Sequence, residues 1–294
     1  MNHKYRVTSG GEFVPGVTTI IGIIDKPAFK WTSAKIAAET AIENMRRKRT
    51  IVPVHRKKLA SYRGNNSTSV KNRELATFGT DNEIFVHYCR GEFDRQWRAK
   101  ATRGNRVHDV AERWTRGEDV DVIEEDSRYV DALEAFHLQY RPIFLLTECV
   151  VLNDSLVDED GNPLHYGGRF DAIAILHHEV WDEETGESHW EVLGTFLLDY
   201  KTGGQWEDSV AMQTIGYMKC ALPIYVDDKL TGLKDLPHLD GARIVYLQDD
   251  GTVAVKDPFE RIPEAVAWKA FKGCLNLFIA TKQIESLLGE EEEE

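Results

Sequence analysis

Two apolar runs that end in charge constrain this chain more than any other feature. In Leu197-Leu-Asp-Tyr-Lys-Thr-Gly203, Asp199 and Lys201 stand two residues apart, and period-two alternation puts both side chains on one face of a sheet. A second strand-like run, Phe170 to Leu176, carries Asp171 near its start, just after Gly167 and Gly168. The turn-forming stretch Asp182-Glu-Glu-Thr-Gly-Glu187 between them predicts an antiparallel hairpin. Such pairing brings Asp171 beside Asp199. Two carboxylates meeting in a sheet repel each other unless a cation sits between them. Two acidic oxygen donors with a lysine alongside suit a hard cation, Mg²⁺ or Mn²⁺, and leave an ammonium to position or deprotonate a water. That is the chemistry of phosphodiester hydrolysis.

Four blocks extend the pattern in order along the chain: Gly104-x-x-x-His108-x-x-x-Glu112, Gly168-x-x-Asp171, Asp199-Tyr-Lys201-Thr and Gln213-x-x-x-Tyr217. With these blocks the sequence resembles the PD-(D/E)XK nucleases, and within them the RecB-like branch that includes phage-type exonucleases. The resemblance is close in the central and C-terminal part and loose over the first 100 residues, where Val17-Thr-Thr-Ile and a Trp-bearing helix are similar to the opening of such exonucleases. It implies an α/β fold, a mixed central β-sheet flanked by helices in the order αβββαβ. It also implies one or two Mg²⁺ or Mn²⁺ ions held by His108, Asp171, Asp199 and the main-chain carbonyl of Tyr200. Lys201 then acts on the attacking water, while Gln213 and Tyr217 flank the site. The expected activity is DNA exonuclease hydrolysis leaving a 5′-phosphate, in replication, recombination, repair or phage DNA metabolism, with a helicase or recombination protein as a further partner. The alternatives are a structure-selective endonuclease and a DNA-binding accessory subunit whose nuclease site is inert. Intact Asp171, Asp199 and Lys201 speak against the last.

Each site residue has an ordinary reading as well. Asp171 could be a turn residue after its glycines, and Lys201 an edge-strand gatekeeper. A lone helical histidine such as His108 is more often structural, although Gly104 lets its helix approach the sheet closely. Glu148 lies mid-strand among apolar neighbours, where a buried acid demands a partner: either it binds metal, directly or through water, or it is a sheet-edge acid. Gln213 and Tyr217 could be polar rim residues of a packed helix, and Arg169 either touches phosphate or makes a surface ion pair.

The formal net charge of −13 conceals two unlike parts. Residues 1–106 hold 21 Lys and Arg against 9 Asp and Glu, a net of +12, and the remainder holds 15 against 40, a net of −25. Cations that neutralise phosphates dominate nucleic-acid affinity, which places the DNA grip in the basic part, on Arg46, Arg47, Lys48 and Arg49 and on Arg56, Lys57 and Lys58. The plain alternative is that these are solvated helix ends.

Three regions are expected: a basic, mainly helical one at 1–102, the nuclease core at 103–288, and an acidic disordered tail at 289–294. Cys89, Cys149, Cys220 and Cys274 are scattered without a Cys-x-x-Cys. The bunched cysteines that carry an iron–sulfur cluster in some members of the family are missing, and no cluster is expected. Val17 to Ile24 is too short to span a bilayer and lacks the marks of a signal peptide, so the expected home is cytoplasmic, without membrane association. Residues 3–15 read as a short hairpin turning at Ser9-Gly-Gly11. Residues 28–45 read as an amphipathic helix with Trp31, Ala34, Ala38, Ala41, Ile42 and Met45 on its apolar face. A mobile loop or broken helix is expected at 50–82, a helix at 92–100, a break at Thr102 to Asn105, and a second helix to about Arg116. Further helices are expected at 128–140, 208–221 and 264–288, and strands at 145–152, 164–177, 189–200, 242–247 and 252–256.

Overall fold

A computed structural model describes residues 4–6, 13–24, 27–63, 80–202, 207–227 and 229–290. In chain order the elements are β1 (Lys4–Arg6), β2 (Phe13–Pro15), α1 (Val17–Ile21), α2 (Pro27–Asn44), α3 (Lys48–Arg63), α4 (Asp81–Thr115), α5 (Ser127–Tyr140), β3 (Ile143–Asn153), β4 (Tyr166–Asp182) and β5 (Glu187–Lys201). Then follow α6 (Glu207–Met218), β6 (Leu222–Val226), β7 (Lys229–Lys234), β8 (Gly241–Leu247), β9 (Val253–Lys256) and α7 (Glu264–Glu290). Two compact units result, one of residues 1–24 and 103–294, the other of residues 25–102. Residues 1–24, grouped with the basic region on sequence, thus belong to the larger unit.

The larger unit is α/β, built on a mixed five-stranded sheet in the order β3-β4-β5-β8-β9. The β4–β5 pair is the expected antiparallel hairpin, closed at Asp182↔Glu187. β5 runs parallel to β8, with Asp199 opposite Ile244 and Lys201 opposite Tyr246. Helices cover both faces because strands buried on both sides must present apolar residues in both directions. Ile173 and Leu197 pack with Val17, Ile20, Ile215 and Phe271 on one face. Ala172, Leu198 and Val245 pack with Val107, Leu133 and Phe136 on the other.

Several elements differ from the sequence reading. The break at Thr102 to Asn105 is absent, and α4 runs unbroken through Gly104. An internal glycine costs a helix about 1 kcal/mol, less than is gained by burying Val107 and Val110 one turn later, about 1.5 kcal/mol or more each. Residues 50–63, read as loop or broken helix, are the body of α3, whose Pro53 lies inside it. Over residues 48–56, whose side chains are described, Val52 alone is buried, against Ile84, Phe85 and Cys89 of α4, which leaves little period to read there. Of the apolar face expected over 28–45, Ala34 and Ala38 are exposed, and Ile42 and Met45, the latter just past the end of α2, are 76% and 60% exposed. Alanine-rich sequence supports a helix by propensity without supplying much to bury. Gly289 and Glu290, expected in a disordered tail, belong to the last turn of α7, while residues 291–294, Lys57 and Lys58 as side chains, and the Ser9-Gly-Gly11 turn lie outside the described residues. The expected 208–221 helix stops at Met218 because Ala221 is drawn into a bridge with Leu152, and Leu222 onward forms the unexpected β6–β7 hairpin. Among the described residues no helix is long and apolar enough to cross a membrane.

Candidate metal centre

The polar groups converge where β3, β4 and β5 meet α4 and α6. On α4, His108 and Glu112 share a face at i,i+4. His108 Nδ1 lies 3.3 Å from Asp171 Oδ1 on β4, and Asp171 Oδ2 accepts the Tyr200 N–H at 2.7 Å. Glu148 completes a trio: His108, Glu148 and Asp171 offer ligand atoms all within 4.8 Å of one another. They line a pocket of about 10 Å³, together with Glu112, Thr147 and Tyr200. That is room for about one water-sized body.

Asp199 stands beside this trio rather than in it. Its Oδ2 is 2.5 Å from Lys201 Nζ, and its Oδ1 is 3.4 Å from the amide nitrogen of Gln213. Gln213 in turn lies 3.3 Å from the Tyr217 hydroxyl, one turn along α6. The Tyr217 ring explains Gly168, since a Cβ there would fall 2.3 Å from Tyr217 Cε1. The glycine spacing in the second block thus makes room for the tyrosine of the fourth. Arg169 pairs with Glu148, Nε to Oε2, at 2.9 Å.

No family model matches the chain, and no curated protein matches it.

The electrostatics show what the pocket wants. Burial pushes the Glu148 carboxyl up to about 7, with the Asp171 charge adding to the rise and Arg169 opposing it. Burial alone would lower His108, but the Asp171 carboxylate outweighs it and the imidazole is raised. Asp171 is held below the usual carboxylate range despite burial, by His108, Lys201 and the Tyr200 N–H. Asp199 is raised by burial and by the charge of Asp171. Lys201 is raised too: burial works against its charge, but two carboxylates outweigh burial. Mutually repelling acids and one imidazole around a small pocket are a donor set suited to Mg²⁺ or Mn²⁺, so the residues fit the expected cation.

Mn²⁺ affinity is therefore expected to fall as pH drops through 7, since Glu148, titrating at about 7, and the raised His108 must give up protons to a cation. Calorimetric titrations at pH 6, 7 and 8 check this, with a slope that steepens toward low pH and stays below about two decades per pH unit, the limit for two protons released. For fold stability Glu148 has the reverse of the usual carboxylate sign. Its folded form keeps a proton that the unfolded chain loses, so its contribution declines as pH rises from 4.5 to about 7.

Of the residues expected to grip DNA, Arg46, Arg47 and Arg49 are exposed at the junction of α2 and α3. Lys48 contacts Asn82, and Arg56 pairs with Asp81 at 2.8 Å, which leaves Arg56 less charge to offer than its sequence suggests. Arg106 does not stand out in the sequence, yet its guanidinium forms a two-pronged contact with the buried Asp126, Nε to Oδ2 at 2.6 Å and Nη2 to Oδ1 at 3.0 Å. This pair ties the His108 helix to the segment before α5. No spacing signal marks it, because the two residues are 20 positions apart. Glu112, which the sequence marks only by its spacing, lines the pocket; its i,i+4 relation to His108 is the available signal.

Proposed function

We propose that the chain is a Mg²⁺- or Mn²⁺-dependent deoxyribonuclease of the PD-(D/E)XK kind, acting as an exonuclease. The observation that carries this reading is the meeting of Asp171, Asp199 and Lys201 at adjoining strand positions, with His108 on Asp171 and Gln213 on Asp199. His108, Asp171 and Glu148 are the groups that would hold the cation, with Asp199 and the Tyr200 carbonyl beside them. A bound divalent cation supplies charge for the phosphate oxygens and acidity for a water. Lys201, as an ammonium paired with Asp199, orients the water and the phosphate rather than removing a proton. Gln213 holds Asp199 in place, and Tyr217 holds Gln213.

The test of the mode of attack compares linear and covalently closed circular DNA of one sequence, with Mn²⁺. Linear DNA is expected to shorten progressively while circles survive. Circles nicked as fast as linear molecules shorten would make the enzyme an endonuclease.

The grip is assigned to the basic unit. Neutralising Arg46, Arg47, Lys48 and Arg49 together is expected to weaken binding to all DNA sequences alike. It should also flatten the dependence of log K on log salt, by about 0.9 for every phosphate that is no longer neutralised. Fluorescence anisotropy across a salt series measures it, and an unchanged slope would place those four side chains in bulk solvent.

A further inference from the structure

The pair formed by Glu148 and Arg169 is built in a way that an ordinary surface ion pair is not. Glu148 has a left-handed backbone, φ 50°, in the middle of β3. A non-glycine residue rarely adopts that conformation and holds it at a cost of order 1 kcal/mol or more. The irregularity falls opposite Asp171: β3 and β4 pair at Thr147↔Ala172 and at Cys149↔Phe170, and the two acids occupy the step between. This local twist removes Glu148 from strict alternation and leaves its carboxylate within reach of both His108 and Asp171 on one side and Arg169 on the other.

The two partners differ sharply in exposure. The Glu148 side chain is 9% exposed and that of Arg169 is 55% exposed. A carboxylate so covered has to be compensated by some cation, whereas a guanidinium at the surface can change partners at little cost. Among the described residues Arg169 has no other ionic or hydrogen-bonded partner. It sits two residues from Asp171 in sequence and against Glu148, which lines the pocket.

We propose that Arg169 serves two charges in turn: it compensates Glu148, and when a divalent cation takes up Glu148 beside His108 and Asp171, the guanidinium passes to a phosphate of the substrate strand. The phosphate half of this proposal rests on the nuclease reading; the exchange between guanidinium and cation does not. The exchange keeps Glu148 compensated throughout and frees one cationic group for the strand, so the arrival of metal and the arrival of an anionic strand reinforce each other. Arg169 suits the second duty because its planar fork of donors matches phosphate oxygens.

Three variants test it: Arg169→Gln, Glu148→Gln and the double variant. Arg169→Gln removes a competitor for Glu148, so Mn²⁺ measured by calorimetry should bind about tenfold more tightly than to the wild type. In the Glu148→Gln background the same change should have no effect on Mn²⁺. At saturating Mn²⁺ and in a Lys201→Ala background that does not cleave, Arg169→Gln should lower the salt slope of DNA binding by about 0.9, the value for one phosphate. Unchanged or weaker Mn²⁺ binding in Arg169→Gln would overturn the exchange, because Arg169 would then be neutral toward the site or a support for it. An unchanged salt slope would overturn the phosphate role. Absence of Mn²⁺-stimulated cleavage by the wild type would remove the nuclease reading alone, and the Mn²⁺ affinities would still decide whether guanidinium and cation compete. Arg169 is surface-exposed and glutamine is isosteric with Glu148, so thermal unfolding of each variant near that of the wild type confirms that folding is intact.

Discussion

Lys201→Ala is expected to cut DNA hydrolysis by about 10²–10³-fold, the range for losing one group that stabilises charge at the reacting atoms, while DNA and Mn²⁺ still bind. The effect should extend to stability in a metal-dependent way. Asp199 is 4% exposed and has Lys201 as its nearest cation, at 2.5 Å. Removing the lysine strands a buried carboxylate, and breaking such a pair costs about 3–5 kcal/mol when nothing replaces the partner. On the proposed reading, a bound cation next to Asp171 takes over part of that compensation. The variant should therefore melt well below the wild type in chelator and recover more than the wild type does when Mn²⁺ is added, as read by calorimetry or circular dichroism. Asp171→Asn behaves differently, losing Mn²⁺ affinity together with rate, because it removes a ligand and leaves His108 without its partner. Wild-type rates from Lys201→Ala would move the reacting centre elsewhere.

Gly168→Ala should be the most damaging small substitution outside the charged groups. Its new Cβ would sit 2.3 Å from Tyr217 Cε1, 2.8 Å from Cδ1 and 3.3 Å from Val17 Cγ2, and none of the three can move freely. Tyr217 is 4% exposed, and Val17 is fully buried under the same face of the sheet. Overpacking of this kind costs about 3 kcal/mol, which for a chain of this size lowers the melting temperature by roughly 6–12 °C. Activity should fall further than stability, since shifting Tyr217 releases Gln213 and through it Asp199. Adding Tyr217→Leu opens the space the methyl needs and should restore part of the melting temperature but not the rate. A Gly168→Ala protein that melts like the wild type would mean the ring moves aside at no cost.

The packing of Tyr217 on Gly168 also explains why some of the site is legible in the sequence. Gly168-x-x-Asp171 and Gln213-x-x-x-Tyr217 lie far apart along the chain, yet the ring of one block occupies the space the glycine of the other leaves, so both spacings answer to one packing constraint. The hairpin joining Asp171 to Asp199 is legible for the same kind of reason: two long apolar runs with a polar, glycine-containing turn admit few other pairings. Glu148 can be named as a buried acid in need of a partner, but not as a residue of left-handed backbone, because nothing local requires that conformation and only its place opposite Asp171 does.

What stays illegible depends on long-range packing. Gly104 resembles a helix end by its own propensity, and only the burial of Val107 and Val110 beyond it carries α4 through. Ala34 and Ala38 of α2 follow helical spacing yet are exposed, and α3 shows the converse, a true helix in which Val52 alone is buried among residues 48–56, leaving little period to read there. The β6–β7 hairpin carries Pro223 in its first strand, which on sequence marks only the end of a helix. Arg106 and Asp126 meet through the geometry of the α4–α5 connection, and neither residue type stands out among the many charges around it.

The most direct measurement is the release of acid-soluble nucleotide from end-labelled linear DNA by the purified chain, with Mn²⁺ and with chelator, beside Asp171→Asn. Steady release with Mn²⁺, none with chelator and none from the variant is the expected result. Equal release in Mn²⁺ and in chelator, or release by Asp171→Asn at the wild-type rate, would contradict a cation-dependent nuclease centred on His108, Asp171, Asp199 and Lys201.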